Sequence, residues 1–261
     1  MKRYRDFFDK KTGKDIHRIV LIAVCLCIAF LLCIAFFMMA LRRDKVESVQ
    51  GEMRGYATSA QKGIDNQISG DFQTLRTVAS SFSKIAEMDE TSKAALFTQM
   101  NKANSFIRMG YADTDGNAVM YDVDGSRYSE NYKNELFFQE ALSGTEAMQD
   151  TSADPYGSGW VLYYAVPVKE NGRITGVLLA VQNASFFSDI IDISIFNSTG
   201  YANIIDSTGK FVIRTNNPEV SSDSYTLFDL GNVNANAAYS IKMNLLSGVS
   251  GNYRFQTQDG E

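Results

Sequence analysis

Histidine and cysteine are nearly missing from this chain, and their few positions exclude most covalent and metal chemistry. The single histidine, His17, precedes a long apolar run, and the three cysteines, Cys25, Cys27 and Cys33, lie inside it. Residues 42–261 therefore hold neither type. That rules out Ser-His-Asp triads, Cys-His nucleophiles, His/Cys zinc sites and a disulfide framework there. No Walker A or dinucleotide fingerprint occurs, so no cofactor is expected. Two Asp-x-Asp-Gly stretches, Asp113/Asp115 and Asp122/Asp124, lack the further acidic position and closing Glu of an EF-hand loop. They read as β-turns, and no metal site is assigned. The sequons at Asn183 and Asn197 matter only in a eukaryotic secretory pathway. Carboxylates alone remain for catalysis, which keeps a glycosidase-like exported enzyme as the last of three readings. No catalytic residue is named.

What the chain does have is one run of 23 residues without a charge, Ile19–Leu41. As a helix it would reach roughly 34 Å, enough to cross a bilayer core of about 30 Å. The 18 residues before it carry seven Lys/Arg and three acids, which places the N-terminus in the cytoplasm and residues 42–261 outside. Arg42, Arg43 and Lys45 oppose that orientation without reversing it. A cleaved signal peptide has a shorter apolar core and a small-x-small cleavage site, so an uncleaved membrane anchor is expected. Beyond the first 18 residues the chain holds 18 basic and 27 acidic residues, net −9. That acidity argues against nucleic acid and against anionic lipid as partners.

Apolar positions from Val46 through Met53, Ile64 and Leu75 to Ile85 recur about every 3.5 residues, which predicts a long stalk helix over 42–88. Gly51, Gly55, Gly63 and Gly70 weaken it, so packing must supply its stability: its own domain along part of its length, a second copy along another. A helix follows at Thr91–Ser105, then strands at Phe106–Asp113 and Ala118–Asp122, and a short helix at Lys133–Leu142. Trp160–Val168 and Arg173–Gln182 are the strongest strands, and Asn171-Gly172 between them is a hairpin turn. A helical turn fits Ala184–Ile191. A second set then begins: strands at Tyr201–Ile205 and Phe211–Arg214, a helix over Val233–Leu246 and a strand at Asn252–Thr257. Gly110–Tyr121 and Gly200–Thr215 share a strand, D-x-x-G, strand plan, which points to two α+β modules built alike. The last turn, ending in Gly260, has no return strand, so the second module is expected to be truncated and the chain to be a fragment.

The positive site signal is aromatic density between Tyr111 and Tyr164. The candidate ligand-binding residues are Tyr111, Tyr121, Arg127, Tyr128, Glu135, Phe137, Phe138, Trp160 and Tyr164. Alternation puts Trp160, Leu162 and Tyr164 on one face of their strand and Val161 and Tyr163 on the other, so Tyr163 and Tyr164 cannot share a pocket. The plainer reading makes most of these rings sheet packing.

The order of span, long helix, strand–DxxG–strand, FFQEALSG, WVLYYAVPVKENGRITGVLLAV and GYANIIDSTGKFVIRT resembles the double Cache (PAS-like) extracytoplasmic sensor domains of bacterial transmembrane receptors. The resemblance covers Val46 to Glu261. It implies an α+β fold with one transmembrane helix, a stalk helix and two tandem antiparallel modules. The segments would be a cytoplasmic stretch 1–18, span 19–41, stalk 42–88, membrane-distal module 89–193 and proximal module 194–261. It implies a small-molecule ligand in the distal module and a homodimer through the 42–88 helix. Amino-acid-binding members carry R-x-W-Y at the short helix. Here that stretch is Glu135-Leu136-Phe137-Phe138, so the family's carboxylate-binding Arg is replaced by Glu135, which counts against an amino-acid ligand: either Arg127 substitutes or the ligand is neutral or cationic. Output through cyclic-di-GMP turnover ranks first, then histidine kinase or chemoreceptor signalling. A membrane-anchored binding or structural module without signalling is the alternative.

Overall fold

A computed structural model describes residues 2–191, 201–215, 226–229, 235–249 and 251. The elements run α1 (Lys2–Ser80), α2 (Phe82–Ala86), α3 (Glu90–Asn104), β1 (Phe106–Asp113), β2 (Asn117–Asp122), β3 (Arg127–Asn131), α4 (Leu136–Leu142), β4 (Ala147–Ala153), β5 (Trp160–Glu170), β6 (Arg173–Asn183), α5 (Ser185–Ile191), β7 (Ile204–Ile205), β8 (Phe211–Ile213) and α6 (Ala235–Ser247). The chain divides into two units, residues 1–55 and 56–261.

The first unit contains the one described stretch long and apolar enough to cross a membrane. Its large apolar side chains are bare: Phe30 is 67 % exposed and Phe36 76 % exposed. Cys25, Cys27 and Cys33 are exposed free thiols on the same stretch.

The second unit is built on a six-stranded antiparallel sheet in the order β3-β2-β1-β6-β5-β4. Strict alternation gives the sheet two apolar faces. Met109, Tyr121, Leu162, Tyr164, Leu178 and Ala180 form one core with Ile64, Leu75 and Val78 of α1, Phe82 and Ile85 of α2, Phe97 of α3 and Phe187 of α5. Ala112, Met120, Tyr163, Leu179 and Val181 form the second core with Phe137, Phe138 and Ala141 of α4. The fold is thus mixed α+β, with helices covering both faces of the sheet.

The unbroken 42–88 helix is corrected. α1 ends at Ser80, Ser81 leaves helical geometry (φ −100°, ψ 5°), and α2 is a separate short helix. The apolar period survives the break because Phe82 and Ile85 still turn into the core. The helix expected over Lys133–Leu142 starts only at Leu136, with Glu135 at its N-cap in extended backbone. Strands β3 and β4 fall in stretches to which the sequence reading assigns no element. Both are sheet edges, and β3, Arg-Tyr-Ser-Glu-Asn, offers one aromatic and no apolar alternation. The strand expected over Tyr201–Ile205 is only Ile204–Ile205. The strand at Asn252–Thr257, the start of the helix at Val233 and the sequon at Asn197 lie outside the described residues.

The two D-x-x-G turns are superposable in kind. The Gly116 amide donates to the Asp113 carbonyl at 3.0 Å and Gly209 to Asp206 at 3.0 Å. Both glycines have positive φ, 84° and 87°, which a side chain would oppose. Each Asp carboxylate accepts two further backbone amides, from Asp115 and Asn117 or from Thr208 and Lys210. Both carboxyls sit below their usual range, chiefly through the side-chain bonds from Asn117 and Thr208. These hydrogen bonds account for the Asp113 motif as a turn.

Gly63 and Gly70 of α1 differ in surroundings. A Cβ on Gly70 would meet nothing within 4 Å, whereas one on Gly63 would lie 2.8 Å from Ile190 Cγ2 of α5. Gly70→Ala is expected to stabilise the domain by about 0.5–1 kcal/mol through helix propensity. Gly63→Ala should gain less, because Ile190 must move. Urea melts of the two variants check the difference.

Candidate ligand-binding site

On the α4 face of the sheet a polar chamber is built around Arg108. The register of β1 against β6 shifts between Phe106 and Arg108, after which Met109 points to the core under α1, α2 and α3 and Arg108 to the α4 face. Its side chain is 2 % exposed, and its Nη2 donates to Asp154 Oδ2 at 2.6 Å. Its Nε stands 3.5 Å from Asp122 Oδ2. The guanidinium carbon lies 4.6 Å from the Tyr156 ring centre and 5.4 Å from that of Tyr128. Electron-rich ring faces attract a cation most strongly where water is excluded.

Asp154 is presented by the Asp154-Pro155-Tyr156-Gly157 turn that precedes β5. The Gly157 amide donates to its carbonyl at 3.1 Å and the Ser158 amide to its Oδ2 at 3.0 Å. Burial pushes the Asp154 carboxyl up, but the Arg108 guanidinium and Ser158 outweigh it and hold it below the usual range. Tyr156 donates to Glu130 of β3. Burial, reinforced by that carboxylate, pushes its phenol up to about 12. Behind these groups Phe137 stacks on Tyr163 at 5.4 Å, with Tyr132 edge-on to Phe137 at 5.7 Å. Burial, more than any neighbouring charge, raises the Tyr132 and Tyr163 phenols.

Two buried polar atoms in this chamber have no hydrogen-bond partner among the described residues: Arg108 Nε, a donor, and Asp154 Oδ1, an acceptor. Nε keeps only the 3.5 Å ion-pair contact to Asp122, while Oδ1 has no partner at all among these residues; a missing hydrogen bond at a buried polar atom costs about 1–3 kcal/mol, so each is a place for a polar group of a bound molecule. The cluster thus combines aromatic rings with a few placed polar atoms, the residue types that line small-ligand pockets.

The nine residues named from the sequence fall in several places. Tyr128 and Phe137 line this chamber, and Phe138 lies beneath it, 1 % exposed. Tyr111 and Tyr121 face the other side of the sheet, in a cleft of about 730 Å³ shared with Phe82, Phe97, Glu90 and Asn117. There Tyr121 donates to Glu90 at 2.8 Å, and Arg127 stands 3.7 Å from the same carboxylate at the rim. Tyr111 stacks on Phe82 and donates to the Thr175 carbonyl. Tyr164 is buried against α1, Trp160 borders a second cavity, and Glu135 is exposed at the α4 cap. Arg108, Tyr132, Asp154 and Tyr156 were missed. An arginine inside the apolar stretch Phe106–Tyr111 was the signal available for the first.

A family profile described as a Cache domain matches residues 37–260. The chain belongs to the Cache domain family. No curated relative matches this Cache domain. Among solved structures it is similar to the ligand-binding domain of the Campylobacter jejuni chemoreceptor Tlp3 in complex with 4-methylisoleucine (14 % identity, TM-score 0.53, covering 68 % of this chain and 75 % of that one). It is also similar to that of the Pseudomonas fluorescens chemoreceptor CtaA with L-serine (17 %, TM-score 0.51, covering 67 % and 74 %). The amino-acid chemoreceptor PctB of Pseudomonas aeruginosa PAO1 with L-Gln gives 18 % identity and TM-score 0.50, covering 62 % and 67 %. These likenesses establish the fold. A Cache domain is a sensor module with no catalysis of its own.

Proposed function

We propose that this chain is the extracytoplasmic ligand-sensing region of a membrane-anchored bacterial signal-transduction receptor. The apolar stretch of α1 anchors it with the N-terminus in the cytoplasm, and residues 89–193 form the ligand-binding, membrane-distal module. Residues 194–261 form the proximal module, and the 42–88 segment joins two copies as a homodimer. The ligand is a small polar molecule held in the Arg108 chamber. The observation that carries this reading is the buried Arg108–Asp154 pair, which keeps one donor and one acceptor unused inside a ring of tyrosines. A ligand bearing both an acceptor and a donor, as an amino acid does, satisfies both atoms at once. The ligands named for the similar chemoreceptor domains are of that kind. Arg108 takes the cationic role left empty by Glu135. Cyclic-di-GMP turnover is the output we rank first, on the resemblance carried by Gly200–Thr215.

Differential affinity for two conformations is what lets such a ligand signal. The test is a thermal-shift screen of the whole chain in detergent against amino acids, organic acids, amines, purines and sugars. A hit is expected among zwitterions. Tyr156→Ala should weaken it by about fivefold or more, since one face of the cation's cage is removed. No hit in any class, or equal binding by Tyr156→Ala, would reject the chamber as the site.

A further inference from the structure

A second cavity, of about 350 Å³, lies where the start of β5 and the end of β6 meet β8. Its lining includes two cations, Lys210 and Arg214, and the hydroxyls of Ser158, Ser185 and Ser188, with no carboxylate among the described lining residues. Arg214 is set over the Phe211 ring at 4.7 Å, which fixes the plane of its guanidinium fork. The backbone of Lys210 is held by Asp206 at 3.0 Å, and the Asp206 charge acts on the lysine from the turn side. The lining also has an apolar part, Trp160 and Ala184 together with the Phe211 ring under Arg214.

We propose that this seam is a separate site for a small organic carboxylate. Its anionic head is held by Arg214 and Lys210 and its apolar body lies against the Trp160 indole. A planar carboxylate matches a guanidinium fork in two parallel hydrogen bonds, and the apolar wall favours an acid with a hydrocarbon part over a bare inorganic anion. The volume suits a molecule at the small end of the usual range. The site stands apart from the Arg108 chamber and is built partly by the β7–β8 hairpin. The two are nevertheless neighbours along the chain. Ser158 reaches the cavity while its amide holds Asp154 at 3.0 Å, and Asn183 donates to the Ser158 carbonyl at 2.7 Å. An occupant of the seam therefore bears on the loop that presents Asp154 to Arg108.

Trp160 is the single tryptophan of the chain and lines this cavity, so its emission reports events there, and the Arg214 variants separate them from changes at the neighbouring Asp154 loop. The full chain in detergent would be titrated with butyrate, acetate and inorganic phosphate at constant ionic strength. A saturable change in emission is expected with butyrate, a weaker one with acetate and none with phosphate. Arg214→Ala should weaken butyrate by about tenfold, the worth of one good charge-assisted contact, and Arg214→Lys by less. Lys210→Met serves as the second variant should Arg214→Ala lose its far-ultraviolet circular dichroism. Equal titration of the variants and the parent, or a response linear in butyrate, would overturn the site. Phosphate matching butyrate would overturn the carboxylate assignment. Failure of the chamber screen leaves this titration untouched, so the two proposals fall separately.

Discussion

Arg108→Met is expected to destabilise the domain by about 3–5 kcal/mol, a drop in melting temperature on the order of 10 °C. Methionine fills much of the volume, so the cost is electrostatic. Asp154, whose side chain is fully buried, would lose its only described cation, with the Ser158 amide left to hold it. A buried carboxylate in that position takes up a proton or draws in water, and both are costly. The double variant Arg108→Met/Asp154→Asn should recover much of the loss, because the fully buried charge is gone and only the partly exposed Asp122 still lacks its cation. In the parent the pair also sets an acid limit. The Asp154 carboxyl is held below its usual range, so it contributes stability above about pH 4 that is lost as pH falls through the folded value. Guanidinium melts of the single and double variants measure both effects. If Arg108→Met costs less than about 1 kcal/mol, the pair is solvated and the chamber is not the dry site described here. The double variant has a second use. A well-folded protein that no longer binds the screen's ligand would separate the chamber's role in recognition from its role in holding the sheet together.

The strong strands were legible because burial on both faces leaves a mark in the sequence. Trp160–Glu170 and Arg173–Asn183 are nearly continuous apolar runs joined by Asn171-Gly172, and both turn residues take positive φ, 48° and 78°. The division of Tyr163 from Tyr164 followed from the period alone and is what the two cores display. Edge strands left no such mark. β4, Ala-Met-Gln-Asp-Thr-Ser-Ala, carries a register break between Gln149 and Ser152 and pairs only with β5 in the sheet. The site was harder still. Aromatic residues were counted along the chain, but the sheet sorts them by parity to opposite faces, so Tyr121 and Tyr128 end on different sides of β2 and β3. The cation was sought near the short helix, at Arg127 or in place of Glu135. It comes instead from β1, three strands away in sheet order from the β4 edge and brought to Asp154 only by folding. A charge inside an apolar strand reads in isolation as a weak strand; its partner 46 residues later is what makes it a site.

Tyr164→Phe is expected to cost about 2–4 kcal/mol and to change how stability depends on pH. The Tyr164 hydroxyl lies 3.0 Å from Asp71 Oδ2 of α1 and 3.0 Å from Gln182 Oε1 of β6, all three residues being buried. Gln67 donates to the other Asp71 oxygen at 2.9 Å. Without the hydroxyl, two buried acceptors lose their donor, and Gln182, whose Nε2 already lacks a partner among the described residues, is left wholly unpaired. Burial raises the Asp71 carboxyl to about 6, with Tyr164 and Gln67 pulling against it. One phenolic proton faces two acceptors, so a protonated Asp71 supplies the donor the cluster is short of. The native state therefore holds this proton more tightly than the unfolded chain does. Stability is greatest below about pH 4 as far as this group is concerned, and falls as pH rises through about 6, by up to about 3 kcal/mol in all. Removing the hydroxyl takes away a contact that favours the carboxylate, so in Tyr164→Phe the decline should shift to higher pH. Asp71→Asn should abolish the decline and be more stable than the parent at pH 8, with Gln67 turning its amide to suit. Urea melts at pH 5 and pH 8 on the parent and both variants decide the matter. A parent that gains stability from pH 5 to pH 8 while Asp71→Asn loses it would mean that Asp71 is ionised and well paired where α1 crosses the sheet, and that this contact is not strained by charge.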